Sequence, residues 1–250
     1  VAQDTSRYGT DLPGHKRLLP ELLRKLCEIE GLHWIRVHYV YPDEIDDEFI
    51  DVMATQPKIV KYLDIPIQHC NSKILKLMNR RGDGQFLREL FAKLRSRIPG
   101  LVIRTSLITG LPGEGDAEFQ ELCDFLREQR LERVGAFAFS PEEGTPAAKM
   151  EFVDNEVAQQ RAQTIEMIQS GIMDDYNAAM QGKTLEVLVD GYDEELEQFY
   201  GRTYADSPDI DGRLWLASEE PLREGMFVTV KIDGCVDGDL SGYVLEEVAL

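Results

Sequence analysis

Leu101-Val-Ile-Arg104-Thr-Ser-Leu-Ile-Thr-Gly110-Leu-Pro-Gly-Glu114 is the stretch whose reading decides the fold. Leu101 to Ile108 is mostly apolar and β-branched, bounded by Pro99-Gly100 before and Gly110 after, which reads as a buried strand. The strand runs straight into a turn. Gly110 and Gly113 free the backbone to bend and to let a ligand come close, and Pro112 stiffens the bend. Arg104 and Glu114 put charge near the turn, and helical periodicity follows from Asp116 to Arg130. A strand ending in a polar, glycine-rich turn before a helix is where α/β folds keep their chemistry. A plain strand–helix connection has the same form, so the stretch alone does not decide between the two.

The same unit recurs on both sides. Val1 to Ser6 reads as a strand with a polar end, and Leu18 to Ile29 as an amphipathic helix with Pro20 in its first turn. Leu32 to Tyr41 is a second strand, and Asp46 to Thr55 a short helix capped by Asp46 or Asp47. Lys61 to Ile67 is a third strand, followed by a helix capped by Asn71 or Ser72 and by a longer one from Asp83 to Ile98. After the central strand and its helix, Val134 to Phe139 is a fifth. Strands that each alternate with a helix predict parallel βαβ units, closed into a barrel or part of one, or wound as an open sheet.

In every unit the polar residues gather at the strand's C-terminal end. In a (β/α) barrel those ends converge, so Gln3, Tyr39, Gln68, His69, Arg104 and Glu114 would line one mouth. Singly, each has a plainer role: Gln68 and His69 suit a helix cap, and Tyr39 suits the core. His33 and His38 read as packing or surface residues. No serine–histidine–aspartate or cysteine–histidine arrangement stands out, and no zinc spacing exists.

Asn155 to Gln181 reads as one long, fairly polar connecting helix with Val157, Ile165, Ile168, Ile172 and Met173 as its apolar stripe. From Lys183 short strands take over: Thr184–Val189, Tyr200–Tyr204, Arg213–Leu216, Met226–Ile232 and Gly242–Val248. Five short strands separated by turns predict a small β-barrel of the oligonucleotide-binding type. The expected organisation is an α/β domain over 1–150, a connecting helix over 151–181 and the small barrel over 182–250.

The formal net charge is −19, unevenly spread. From Gly182 onward five basic residues face seventeen acidic ones, a net of −12. Such a tail repels nucleic acid and attracts a basic protein, though solubility alone also favours it. No apolar run is long enough to cross a membrane and no signal peptide is visible. Cys27, Cys70, Cys123 and Cys235 are scattered, which predicts reduced thiols in a cytoplasmic protein and no metal site. The chain opens on Val1 inside an expected strand, which suggests a fragment of a longer protein.

Several stretches together are similar to a known family. Val1-Ala-Gln-Asp-Thr-Ser-Arg-Tyr-Gly9, Tyr62-Leu-Asp-Ile-Pro-Ile-Gln-His69, Leu77-Met-Asn-Arg80, Arg104 to Glu114 and Phe139-Ser-Pro-Glu-Glu-Gly-Thr-Pro-Ala-Ala148 occur in the order seen in the radical S-adenosylmethionine methylthiotransferases. Gly201-Arg-Thr-Tyr-Ala-Asp-Ser-Pro-Asp-Ile-Asp-Gly212 resembles that family's TRAM domain. The resemblance implies a partial radical barrel followed by a TRAM barrel. In the family an iron–sulfur cluster cleaves S-adenosylmethionine to a radical that takes hydrogen from an unactivated carbon, and a second cluster helps deliver a methylthio group. The branch this chain most resembles modifies an aspartate of a small-subunit ribosomal protein; the sister branch modifies an adenosine of transfer RNA.

By that resemblance S-adenosylmethionine contacts fall on Gln3, Tyr39, Gln68, His69, Arg104, Gly110, Gly113 and Glu114. The cofactor's carboxylate suits Arg104, its amine Glu114 and its ribose hydroxyls the amide side chains. The family's cluster cysteines have no counterpart here, so the ligands are expected in a segment upstream and the chain alone is expected to be inactive. The acidic tail favours a basic ribosomal protein as partner over RNA. The transfer-RNA branch stays open, with Tyr192, Phe199, Tyr200, Tyr204 and Trp215 as stacking candidates, and so does a non-catalytic module that binds a basic protein.

Overall fold

The computed structural model describes residues 3–248, so Val1 and Ala2 of the expected first strand lie outside the described residues. The chain divides into two compact units. One holds the residues up to Ile29 together with Ile35–Ile172; the other holds Glu30–Trp34 together with the residues from Met173.

The first unit alternates helix and strand: α1 (Leu19–Cys27), β1 (Ile35–Val37), α2 (Asp47–Thr55), β2 (Ile59–Asp64), α3 (Ser72–Leu77), α4 (Gly84–Arg97), β3 (Val102–Thr109), α5 (Asp116–Gln129) and β4 (Arg133–Ala138), with α6 (Asn155–Met180) after them. The helix starts are chemically marked. Asp46 accepts the Phe49 amide at 2.9 Å, Asn71 those of Lys73 and Ile74, and Asp83 that of Phe86 at 2.8 Å. Each satisfies an amide that the first turn leaves without a helical partner.

The strands are parallel and lie in chain order, β1-β2-β3-β4. A doubly wound sheet reverses its order at a switch point; a run of same-handed crossovers keeps every helix on one face and curls into a barrel. The unit is thus a partial (β/α) barrel. Its core lies between sheet and helices, where Ile59, Leu63, Ile65, Ile103 and Leu107 meet Ile50, Met53, Phe91 and Phe125. Each such side chain contributes about 1.5–3 kcal/mol by leaving water.

Among the described residues of the first unit there are four strands where the sequence predicts five. The Gln3–Ser6 segment is a turn, its Ser6 amide bonded to the Asp4 carboxylate at 3.0 Å. The turn is tied to the end of β1 by the Thr5 amide on the Tyr39 carbonyl at 3.0 Å. The long polar helix is also more than a connector. Ala158, Ala162, Ile165 and Ile172 of α6 are buried, while Val157, expected on the apolar stripe, is exposed.

In the second unit β5 (Thr184–Asp193), β6 (Gln198–Arg202), β7 (Leu214–Ala217), β8 (Phe227–Val236) and β9 (Asp239–Glu247) close into a barrel of order β5-β6-β7-β9-β8. Val187, Val189, Leu214, Leu216, Val228, Val230 and Ile232 fill its interior. The expected strand Leu32–Tyr41 shrinks to Ile35–Val37 because the residues before it belong here. Trp34 packs edge-on against Phe227 at 4.9 Å, and His33 Nε2 lies 2.7 Å from a Glu186 carboxylate oxygen. No helix of the described residues is long and apolar enough to cross a membrane.

Candidate functional site

Period-two alternation sorts β3 into two faces. Thr105, Leu107 and Thr109 turn to the helices and are buried; Arg104, Ser106 and Ile108 turn to the other face and are half-buried. Parallel register extends that face sideways, setting Asp64 beside Arg104 and pairing Arg104, Ser106 and Ile108 with Arg133, Gly135 and Phe137.

Low on this face is a polar strip. Arg104 donates to Asp64 at 2.9 Å, His38 Nδ1 stands 3.9 Å from the other Asp64 oxygen, and Arg36 stacks on the Tyr62 ring at 4.4 Å. Burial alone would raise the Asp64 pKa, but the neighbouring His38 imidazole and Arg104 guanidinium outweigh it and hold the carboxyl below its usual range.

At the C-terminal end of β3 and β4 the same face opens into an apolar cavity of about 450 Å3. Ile108, Leu111, Pro112 and Phe137 form its walls, Met78 and Met150 close its sides, and Asn79, Ser140 and Thr145 offer hydrogen-bonding groups. Phe137 is 56% exposed, an aromatic ring left uncovered next to a cavity. Gln68 borders this end. Its amide donates to the Ser106 carbonyl and its carbonyl accepts from the Ile108 amide, both at 2.9 Å, which holds it in a left-handed conformation with φ +68°. Tyr39 is likewise left-handed, φ +56°, and exposed. A bulky residue rarely adopts this conformation without a constraint. For Tyr39 the Gln3–Ser6 turn docked on its carbonyl supplies one.

The structure thus gathers Gln68, the Gly110–Gly113 turn and, beside Tyr39, the Gln3 turn at the C-terminal strand ends. Three of the expected mouth residues stand elsewhere. Arg104 is the third residue of β3, roughly 13 Å along the strand from Ile108 at 3.3 Å per residue, and is committed to Asp64. His69 and Glu114 are buried among the helices, and Glu114 is only 3% exposed. Glu114 Oε1 accepts the Gly110 amide at 2.9 Å and an Arg161 guanidinium bond at 2.8 Å. The carboxylate therefore braces the turn from behind instead of offering itself to an amine.

The glycines also serve packing more than ligand approach. A Cβ on Gly110, at φ +76°, would intrude on Ala158 and stand 3.1 Å from Val153 Cγ2; on Gly113, at φ +83°, it would meet Leu77 Cδ1 at 2.8 Å. Sequence reasoning missed Arg161, Asp64 and Phe137. Arg161 carried a signal, since a cation four residues before Ile165 sits inside the stripe that the core must cover.

Does this site suit the groups the resemblance implies? A purine fits the cavity, with apolar walls for its faces and hydrogen-bonding side chains for its edge. An iron–sulfur cluster does not fit. Among the described residues no group of three histidine, cysteine or carboxylate side chains could hold a metal. Burial, reinforced by Glu121, pushes the Cys70 thiol up to about 12, far from the thiolate that iron requires.

Comparison with known proteins agrees with this architecture. A family model described as the radical SAM superfamily matches residues 7–126, and one described as the TRAM domain matches residues 182–245. The fold and its partial barrel thus define the class: a radical S-adenosylmethionine domain followed by a TRAM domain. Among named relatives the chain is similar to methylthiotransferases. It is 46% identical over 248 residues to ribosomal protein uS12 methylthiotransferase RimO of Acetivibrio thermocellus, covering 99% of this chain and 54% of that one. It is 47% identical over 247 residues to the RimO of an Anaeromyxobacter species, covering 98% and 52%. The chain spans about half the length of the curated relatives it matches. In fold it is similar to coproporphyrinogen III oxidase (HemN) from Escherichia coli, a radical SAM enzyme, with a TM-score of 0.50 and 14% identity over 85% of this chain and 50% of that one.

Proposed function

We propose that this chain is the cofactor-holding and substrate-docking part of a cytoplasmic enzyme that adds a methylthio group to an aspartate of a small-subunit ribosomal protein. The observation that carries the reading is the identity of 46–47% along nearly the whole chain to relatives named for uS12 methylthiotransfer. The charge supports it: a barrel segment with a net of −12 suits a basic ribosomal protein and repels RNA.

S-adenosylmethionine, when bound and reduced, supplies the carbon radical that such chemistry needs. In this reading Ile108, Leu111 and Phe137 hold the adenine, Ser140 and Asn79 meet its edge, and the backbone around Gly110 and Gly113 closes over it. Gln68, Tyr39 and Gln3 are assigned in this reading to the ribose and methionine portions, which the left-handed backbone of Gln68 and Tyr39 at the strand ends supports. Arg104 and Asp64 form the floor and fix the sheet face beneath the ligand.

The reading is tested by binding of the intact chain to purified ribosomal protein uS12 and to transfer RNA, each over a salt series. The expected result is protein binding that weakens as salt rises, with no RNA binding. RNA binding with no protein binding would overturn the substrate class.

A further inference from the structure

Behind the glycine-rich turn lies a buried ionic cluster that the cofactor cavity does not itself contain. Arg161, on the second turn of α6, donates through Nη1 to Glu114 Oε1 at 2.8 Å and to the Glu114 carbonyl at 3.1 Å, and through Nη2 to Asp116 at 2.8 Å. Its guanidinium also stacks over Phe119 at 5.2 Å. Arg161 is 6% exposed and Glu114 3%. The same Glu114 oxygen accepts the Gly110 amide, so the carboxylate ties the first residue of the turn to the last. The turn is closed again by the Glu114 amide on the Leu111 carbonyl at 2.9 Å.

The other Glu114 oxygen faces His69 Nε2 at 3.4 Å, both side chains fully buried and neither atom with another partner. His69 Nδ1 accepts the Asn71 amide at 2.9 Å, which leaves Nε2 as the ring nitrogen beside the carboxylate. One turn earlier on α6, the Thr109 hydroxyl donates to the Ala158 carbonyl at 2.8 Å, and Ala158 fills the space where a Gly110 side chain would be. A carboxylate this deep is tolerated only while a cation neutralises it; remove the cation and it is driven to move toward water. That move releases the Gly110 amide and reshapes the wall formed by Leu111 and Pro112.

We infer that Arg161 is a positioning residue for the cofactor: from α6, acting through Glu114, it sets the conformation of the Gly110–Glu114 turn on which the adenine cavity depends. The inference rests on the reading of that cavity as the S-adenosylmethionine site. It gives α6 a role in the site although none of its residues lines the cavity.

The test compares Arg161→Gln and Arg161→Lys in the intact chain, by amide hydrogen exchange and by calorimetric titration with S-adenosylhomocysteine. Expected for Arg161→Gln is exchange at Gly110 and Glu114 at least about tenfold faster, with the amides of β1 and β2 unchanged. S-adenosylhomocysteine should bind about tenfold more weakly, equivalent to about 1.4 kcal/mol. Lysine reaches Glu114 but not Asp116 at once, so Arg161→Lys should fall between. Unaltered turn exchange, or faster exchange spread evenly over the unit, would overturn the positioning role. If the unaltered chain bound no S-adenosylhomocysteine, the cofactor reading and the role toward it would fall, while exchange at the turn would still decide whether Arg161 clamps it.

Discussion

Replacing Gly110 by alanine isolates how tightly the turn is fitted to α6. Two costs add. At φ +76° an L side chain sits in the left-handed region, a penalty of roughly 1–2 kcal/mol. The new methyl would also collide with Ala158, whose Cα would be only 3.2 Å away, and overpacking a filled core costs about 1–3 kcal/mol. The expected loss is about 2–5 kcal/mol, a large share of a domain's ordinary stability. Gly113→Ala carries the same backbone penalty, but its methyl meets Leu77 Cδ1, the end of an exposed and flexible side chain, so its loss should stay near ~1–2 kcal/mol. Ala158→Gly should partly rescue Gly110→Ala, making the double variant about 1–2 kcal/mol more stable than the single effects predict. Urea unfolding is the assay, followed in parallel by far-ultraviolet ellipticity and by fluorescence. Helices α1 to α5 lie in the first unit, whereas both tryptophans, Trp34 and Trp215, lie in the second. The ellipticity midpoint should fall and the fluorescence midpoint should hold. Equal losses for the two glycines, or strict additivity with Ala158→Gly, would refute the packing argument.

Asp64→Asn should cost about 3 kcal/mol, because it removes the buried carboxylate that accepts the Arg104 guanidinium bond. The Asp64 carboxyl is held below its ordinary value of 3.8 in the folded chain, so its contribution is complete above that pH and is lost as pH falls through the folded value. The stability gap between the two proteins in urea titrations should therefore stay constant down to about pH 4 and narrow below it. Phe137→Ala should weaken S-adenosylhomocysteine binding by about 1–2 kcal/mol in calorimetry, with little change in melting temperature, since the ring is 56% exposed. In native alkylation read by mass spectrometry, exposed Cys235 should label first, while Cys70 and Cys123, both buried with raised thiol pKa values, should label only on unfolding.

Local chemistry made much of the fold legible. The strand ahead of Gly110, the caps at Asp46 and Asn71, and the strand alternation after Lys183 are all short-range signals, and each stands in the structure within a few residues. What misled was polarity at a strand end. His69 and Glu114 look like mouth residues in sequence, yet α6 covers Glu114 from behind with Arg161, a neighbour 47 residues away. Arg104 opens the motif and so reads as a mouth residue, but strand geometry puts it on the floor beside Asp64. Leu32–Trp34 carries a strand's composition, and burial against Phe227 draws it to another unit. Distant packing settled each case, and periodicity does not record it.

The second unit is not one continuous piece of chain: Ile35–Ile172 of the first unit lies in sequence between Glu30–Trp34 and the residues from Met173 onward. During synthesis that five-residue strip leaves the ribosome long before the barrel it packs against exists. Phe227, its aromatic neighbour, emerges nearly two hundred residues later. The barrel therefore has a high contact order at this one seam, and its completion waits on a distant segment that the first unit must not have engaged. A fragment cut at Lys183 would fold without that strip and with Phe227 and Glu186 uncovered, so only the uncut chain presents the barrel's native surface to a partner.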